Sequence, residues 1–387
     1  MALDILVKKN MQTGEYYRVD DGSLNVKKPN NSKKTILEDV SDSFDCSVYK
    51  DGTVDIFASC IDAKLVHVRN FADKNSINVI MESSNKKSKI KNIRVLNINS
   101  SLHLFYCIDY SKRLLVHQVI TDGDYSKEPE VIDQIGIRCV YDVTQDRMGN
   151  IHIVYAYDEN TLNYRMYQNT LKTCTPPKTI VQGDVLSVSS YVHMDKLYLA
   201  YIQKDMDMKA VYFACADDGG ISKITSLLRG RSSCALFIKN EKFVIHWFEN
   251  SMAFEALLDE KFKITRIKSL GRSTGIHRVK NHKSSYLCAF NLKREPFCDD
   301  VLSFEEEKRE FKEKGYEATE LLESYKNVLD AKRQELREDF ITESLAKIEL
   351  SLSNLVKLSE KICDSIKNTE YNVEKNLENG KDVKLSE

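Results

Sequence analysis

A strand pattern returns every 43 to 49 residues through the first three-quarters of the chain, and no other feature restricts its fold as strongly. The register is set by Val54-Asp55-Ile56-Phe57, Leu102-His103-Leu104-Phe105-Tyr106, Ile151-His152-Ile153-Val154-Tyr155, Leu197-Tyr198-Leu199-Ala200-Tyr201, Phe243-Val244-Ile245-His246-Trp247 and Tyr286-Leu287-Cys288-Ala289-Phe290. A period of about 40 to 50 residues with several strands per unit is what sheets arrayed radially around an axis produce.

Each unit reads as four strands. In the third, residues 137–143 form one apolar run and Asp146-Arg147-Met148-Gly149-Asn150 supplies a turn. Residues 151–157 are the second strand, Asp158-Glu159-Asn160 turns again, residues 162–167 are the third strand, and residues 178–181 after Pro176-Pro177 are a short fourth. Gly, Asn and Asp hold the turns because they tolerate positive φ and bond locally to the backbone. The second strand is apolar on both sides of its alternation, which a sheet covered on both faces requires.

Five complete units span residues 43–270, and a sixth, residues 276–290, has only its first two strands. The outer strands it lacks are expected from the N-terminus, where residues 3–8, 16–19 and 35–37 are strand-like without an inner pair of their own. Pairing the two ends of the domain removes open sheet edges. The expectation is therefore an all-β propeller of six blades over residues 1–295, with seven as the alternative if the first forty residues build more.

Composition narrows the class of protein. Of 387 residues, 42% are hydrophobic, enough for a core and too many for wholesale disorder. No stretch approaches the roughly 18 to 20 apolar residues of a membrane span. The start, Met1-Ala2-Leu3-Asp4-Ile5-Leu6-Val7-Lys8-Lys9-Asn10, lacks the basic-then-apolar-then-small order of a secretory signal and reads as a first strand. A cytoplasmic location is expected, with a particle or spore surface as an alternative; the Lys-, Asn- and Ile-rich composition points to an AT-rich bacterial genome. None of the ten cysteines forms a C-x-x-C pair, and Cys107, Cys215 and Cys288 lie inside apolar runs, so buried free thiols are expected. Clustered Cys/His spacing for zinc is missing, and neither a metal nor a cofactor is expected.

The near-zero net charge hides a division. Residues 299–387 carry 15 Lys+Arg against 23 Asp+Glu, and the remainder 42 against 35. The head's basic excess is diffuse. Its densest run, Lys86, Lys87, Lys89, Lys91 and Arg94, reads as a solvated loop, so no nucleic-acid partner is expected.

The run Asp146-Arg147-Met148-Gly149-Asn150-Ile151-His152-Ile153-Val154-Tyr155, followed by Leu162-Asn163-Tyr164-Arg165, resembles the blade pattern of sialidase-like propellers with BNR-type repeats. The resemblance covers roughly residues 1–292 and implies the fold alone. The family's Ser-x-Asp-x-Gly-x-x-Trp box is not found, and Trp247 is the single tryptophan. The arginine triad, Tyr/Glu nucleophile pair and acid Asp that the family uses have no matching positions, so its catalysis does not carry over.

Loops joining second to third strands emerge on one face of such a ring, and here they are repeatedly acidic: Asp62, Asp109, Asp158, Glu159, Asp205, Asp207 and Glu249. A ring of carboxylates favours a cation or a basic partner, whereas Asp is also simply a good turn residue. Histidines at His103, His152, His67 and His117 suggest imidazoles packed between blades, and the ladder Tyr106, Tyr155, Tyr201, Trp247 and Phe290 suggests inter-blade core. The chain contains no Gly-rich phosphate loop, G-x-S-x-G or H-E-x-x-H.

Beyond residue 303 the composition is helical, with no proline and with Gly315 and Gly380 as the glycines. Ile341, Ile348, Leu355 and Ile362 fall at seven-residue steps, with Leu345, Leu352, Ser359 and Ile366 interleaved, an a/d seam of nearly four heptads. Upstream, Phe304, Phe311, Ala318 and Tyr325 keep a different phase, so residues 304–376 are either one helix with a slip or a hairpin. Residues 296–303 read as a linker and 377–387 as a flexible tail. An exposed seam needs a partner helix, and a second copy of the chain is the expected one. The whole predicts a non-enzymatic scaffold that presents a propeller to a protein or glycan on a coiled-coil oligomerisation stalk. Two alternatives stand beside it: a glycan-recognising or glycan-hydrolysing sialidase-like enzyme, and a structural component of a phage particle or spore surface.

Overall fold

The computed structural model describes residues 4–8, 14–71, 74–83, 88–109, 112–121, 123–125, 127–205, 208–227, 230–281 and 285–297. These lie within Met1–Lys308, the first of two units into which the chain divides. The segment expected to be helical, with the expected seam residues Ile341, Leu345, Ile348, Leu352, Leu355, Ile362 and Ile366, lies outside the described residues, as does Asp207.

The described chain is all-β. The first unit pairs β1 (Ile5–Lys8), β2 (Gly14–Asp20), β3 (Ser23–Lys27) and β4 (Lys33–Leu37) in sequence. The second holds β5 (Val40–Val48), β6 (Val54–Cys60), β7 (Lys64–Phe71) and β8 (Lys74–Glu82); the third holds β9 (Lys89–Ile98), β10 (Ser101–Asp109), β11 (Arg113–Thr121) and β12 (Glu130–Gln134). The fourth has β13 (Tyr141–Gln145), β14 (Ile151–Ala156), β15 (Thr161–Gln168) and, both pairing β15, the short β16 (Thr173–Cys174) and β17 (Lys178–Gln182). The fifth has β18 (Asp184–His193), β19 (Lys196–Asp205), β20 (Met208–Cys215) and β21 (Ile221–Leu227). The sixth has β22 (Ser232–Lys239), β23 (Lys242–Glu249), β24 (Met252–Leu258) and the first half of the long β25 (Ile264–Lys280). The second half of β25 changes partners and pairs β26 (Ser285–Asn291).

The first forty residues pair in sequence, β1 with β2 in register Ile5↔Tyr17 to Lys8↔Gly14, and through β1 they continue the sheet that β25 and β26 begin. With β25 shared between two of them, the strands fall into six sheets, and the N-terminal strands supply those that the closing pair β25 and β26 lacks. The two ends do meet: β1 runs parallel to the second half of β25, with Ile5 opposite Arg278, Leu6 opposite Val279 and Val7 opposite Lys280. That hydrogen-bonded closure pairs the facing edges of β1 and β25, which would otherwise stand open.

The second strands are buried along nearly their whole length in units two to six. The ladder Tyr106, Tyr155, Tyr201, Trp247 and Phe290 is inter-blade core, each side chain at most 3% exposed. Imidazoles knit the units as well: Tyr167 of the fourth unit meets His117 and His103 of the third edge-on, with ring centroids 4.6 and 5.7 Å apart. All eight described cysteines are free thiols.

Candidate functional site

The inner strand of each unit exposes one backbone edge toward the axis, and buried N–H groups there need acceptors. Side chains of the preceding unit supply them. Ser43 Oγ accepts from Ile93 N at 3.0 Å and Asp45 Oδ2 from Val95 N at 2.8 Å. Asp142 Oδ2 accepts from Ser190 N at 2.8 Å, Ser187 Oγ from Cys234 N at 3.2 Å and Ser189 Oγ from Leu236 N at 3.0 Å. Donor and acceptor numbers rise together within a pair of strands, so neighbouring inner strands run parallel. In sheets that alternate direction, this brings the loops joining second to third strands to one face, together with those joining one unit to the next.

That face carries the described ones among the acidic positions singled out in the sequence, and Asp62, Asp109 and Asp158 are engaged. Asp62 lies 2.6 Å from Lys64 Nζ; Asp109 bonds Lys91 Nζ at 2.8 Å and lies 3.2 Å from Arg113 Nε. These lysines and arginines hold both carboxyls below the ordinary range, through the hydrogen bonds of Lys64 and Lys91 first. Asp158 turns its carboxylate on its own loop, accepting from Asn160 N at 2.8 Å and Thr161 Oγ1 at 2.9 Å. Asp205 ends β19 opposite Met208, and Glu249 ends β23 opposite Met252 and Ser232. Glu159 is exposed and lines a shallow crevice with Gly136, Ile137, Arg138, Asp158 and Val185, where Arg138 pairs with Asp184. A Cβ at Gly136 would sit 3.2 Å from Asp158 O, so the close approach of the two loops there favours glycine. The loops thus place basic groups among the acids and also present Ile61, Ile137, Tyr157 and Met208 to solvent. Among the described residues no three His, Cys, Asp or Glu side chains gather as metal ligands.

A second cluster escaped sequence reasoning. Arg278 and Lys280 leave β25 and reach the first strands of the second, third and fourth units. Lys280 Nζ lies 2.7 Å from Asp45 Oδ1 and bonds the carbonyls of Cys46 and Val95, the latter at 3.2 Å. Arg278 Nη1 bonds Ser285 Oγ at 3.2 Å, and its Nη2 lies 3.9 Å from Asp142 Oδ1. Arg94 stands over the Tyr141 ring at 5.9 Å. Burial alone would raise the Asp45 carboxyl, but Lys280, then Arg278 and Arg94, pull it below the ordinary range. These charges plug the axis. The only sequence signal was their position: Asp45 and Asp142 sit on first strands, and Arg278 and Lys280 flank Val279 at the end of a strand-like stretch.

Other buried carboxylates are likewise saturated. Asp55 accepts from Arg69 Nε and Nη2 at 2.7 and 2.8 Å and from Tyr49 Oη at 2.8 Å, and lies 3.0 Å from His67 Nε2. Glu255 meets His246 Nε2 at 3.1 Å, Lys268 Nζ at 2.9 Å and Arg266 Nη2 at 3.3 Å.

No family model matches the chain, and no curated protein matches it. Among solved structures it is similar to the Dos1 propeller, with 9% identity over 71% of this chain and 72% of that one and a TM-score of 0.47. It is also similar to a mutant of the Aleuria aurantia lectin in complex with Fucα1-6GlcNAc, with 9% identity over 65% of this chain and 89% of that one and a TM-score of 0.41. A polysaccharide lyase of family PL25, an ulvan lyase, gives 9% identity over 67% and 70% and a TM-score of 0.41.

Proposed function

We propose that this chain is a non-enzymatic binding and assembly protein, in which a propeller head meets a glycan or protein and the helical segment joins copies of the chain. The observation that carries this reading is where the acids are spent. Asp45, Asp55, Asp142 and Glu255 each hold protein donors or cations, and a carboxylate so engaged is a poor acid or nucleophile for glycoside cleavage. The binding surface is the face bearing Asp62, Asp109, Asp158, Glu159, Asp205 and Glu249, where alternating charge and the exposed Ile137 and Tyr157 suit a polar ligand with an apolar side. Joining heads through the seam would raise avidity for a repeated target. Free buried cysteines suit a reducing compartment.

The test is a glycan and protein binding screen with the full chain, run beside a panel of chromogenic glycosides and sedimentation at micromolar concentration. The reading expects binding without turnover, weakened by Glu159→Lys, and a mass of more than one chain. Turnover of any glycoside, or a monomer in sedimentation, would count against it.

A further inference from the structure

The axial plug is not charge-balanced. Asp45 and Asp142 supply two negative charges, while Arg94, Arg278 and Lys280 supply three positive ones. Lys280 is spent on Asp45 and two carbonyls. Arg278 is only 4% exposed, yet its Nε and Nη2 have no hydrogen-bond acceptor, and neither has Arg94 Nε. Nε–H and Nη2–H point the same way from the guanidinium plane, so the two idle donors form the fork that takes a carboxylate, sulfate or phosphate side-on. Asp142 does not fill this fork: it stands 3.9 Å from Nη2, and its Oδ2 is held by Ser190 N and Oγ at 2.8 and 3.0 Å. A buried guanidinium with idle donors and an excess of like charge around it costs stability unless an anion completes it.

We propose that the propeller axis is an oxyanion site, in which Arg278 grips one small carboxylate, sulfate or phosphate group side-on and Arg94 supplies a further N–H. Arg94, only partly buried, marks the side from which the anion enters. Bound there, the anion ties the last unit to the third and fourth. Ring closure then becomes coupled to anion concentration, since a ligand held only by the folded state stabilises it by mass action.

Sulfate titrated into the full chain at constant ionic strength, into the low millimolar range, tests this by thermal unfolding. A saturable rise in midpoint is expected in the wild type and its loss in Arg278→Lys, which keeps the charge and removes the fork. The general salting effect of sulfate is unsaturated and would appear equally in both proteins. Should Arg278→Lys fail to fold, Arg94→Gln is expected to weaken the apparent affinity about tenfold, the worth of one hydrogen bond to a charged group. Crystals grown with selenate are expected to show an anomalous peak within hydrogen-bond reach of Arg278 Nε. An unsaturated response in the wild type, an affinity unchanged by both substitutions, or a crystal with Asp142 seated in the fork and no selenate peak would overturn the proposal.

Discussion

Lys280 Nζ, from β25, lies 2.7 Å from Asp45 Oδ1 on the first strand of the second unit, with both side chains at most 3% exposed. The pair ties the closing strand β25 to the second unit. Removing one member leaves an unpaired buried charge. Lys280→Met is therefore expected to cost about 3–5 kcal/mol in urea unfolding. The double variant Lys280→Met, Asp45→Leu should recover most of that loss, because the destabilisation lies in the orphaned carboxylate and not in the absence of an ion pair.

Ser189 tests the stitching between inner strands. Its hydroxyl accepts the Leu236 N–H at 3.0 Å, between buried residues. Ser189→Ala leaves that N–H without an acceptor and is expected to lower stability by about 1–3 kcal/mol. Hydrogen exchange should localise the effect to β18 and β22, whereas a variant at an exposed hydroxyl such as Thr225 should change neither.

Asp55 is held well below the carboxylate range: burial pushes it up, but the hydrogen bonds of Arg69 and His67 outweigh burial. A carboxyl lowered in the folded state adds stability above its unfolded value and loses it as pH falls below about 4. Asp55→Asn should cost about 3 kcal/mol near neutrality. The gap from wild type, measured by urea midpoints, should narrow as the pH is taken below about 4.

The histidines predict a loss on the same acid flank, closer to neutrality. Burial depresses His103 to about 4, with Lys172 adding to it, and His117 to about 3, with His103 adding to it. The unfolded chain takes up these protons near pH 6.5 while the folded chain refuses them. Stability conferred by the neutral rings is thus complete above about pH 6.5 and is lost between there and about pH 4, at up to about 1.4 kcal/mol per pH unit for each ring. His117→Gln should flatten the pH dependence of the unfolding free energy between pH 6 and 4 by about one proton's worth. An unchanged slope would show that these rings are not buried neutral.

Much of the architecture was legible because sheets covered on both faces leave an unusual sequence trace. Leu102–Tyr106 and its five counterparts carry apolar residues on both sides of their alternation, and their spacing announces the ring. The ends of the domain were legible too: β1 is four residues long, its buried Ile5 and Val7 alternate with partly buried residues, and it pairs beside β25. The change of partner in β25 falls between residues 270 and 276, around Gly271 and Gly275, where one unit was read to end and the next to begin; what the sequence obscured is that residues 264–280 run on as one strand. The loop acids were visible as residue types, but Lys64, Lys91 and Arg113 sit on neighbouring strands whose register had first to be known. The axial plug was hidden for the same reason at longer range: nothing local in Arg278-Val279-Lys280 points to Asp45 or Asp142.

Ring closure is the premise on which the fold and the axial site both rest, and amide hydrogen exchange of β1 tests it most directly. Ile5 and Val7 should exchange as slowly as the Arg278–Lys280 stretch that they flank, near the global unfolding limit. Exchange of these amides at the rate of an open chain end, while β26 stays protected, would contradict closure.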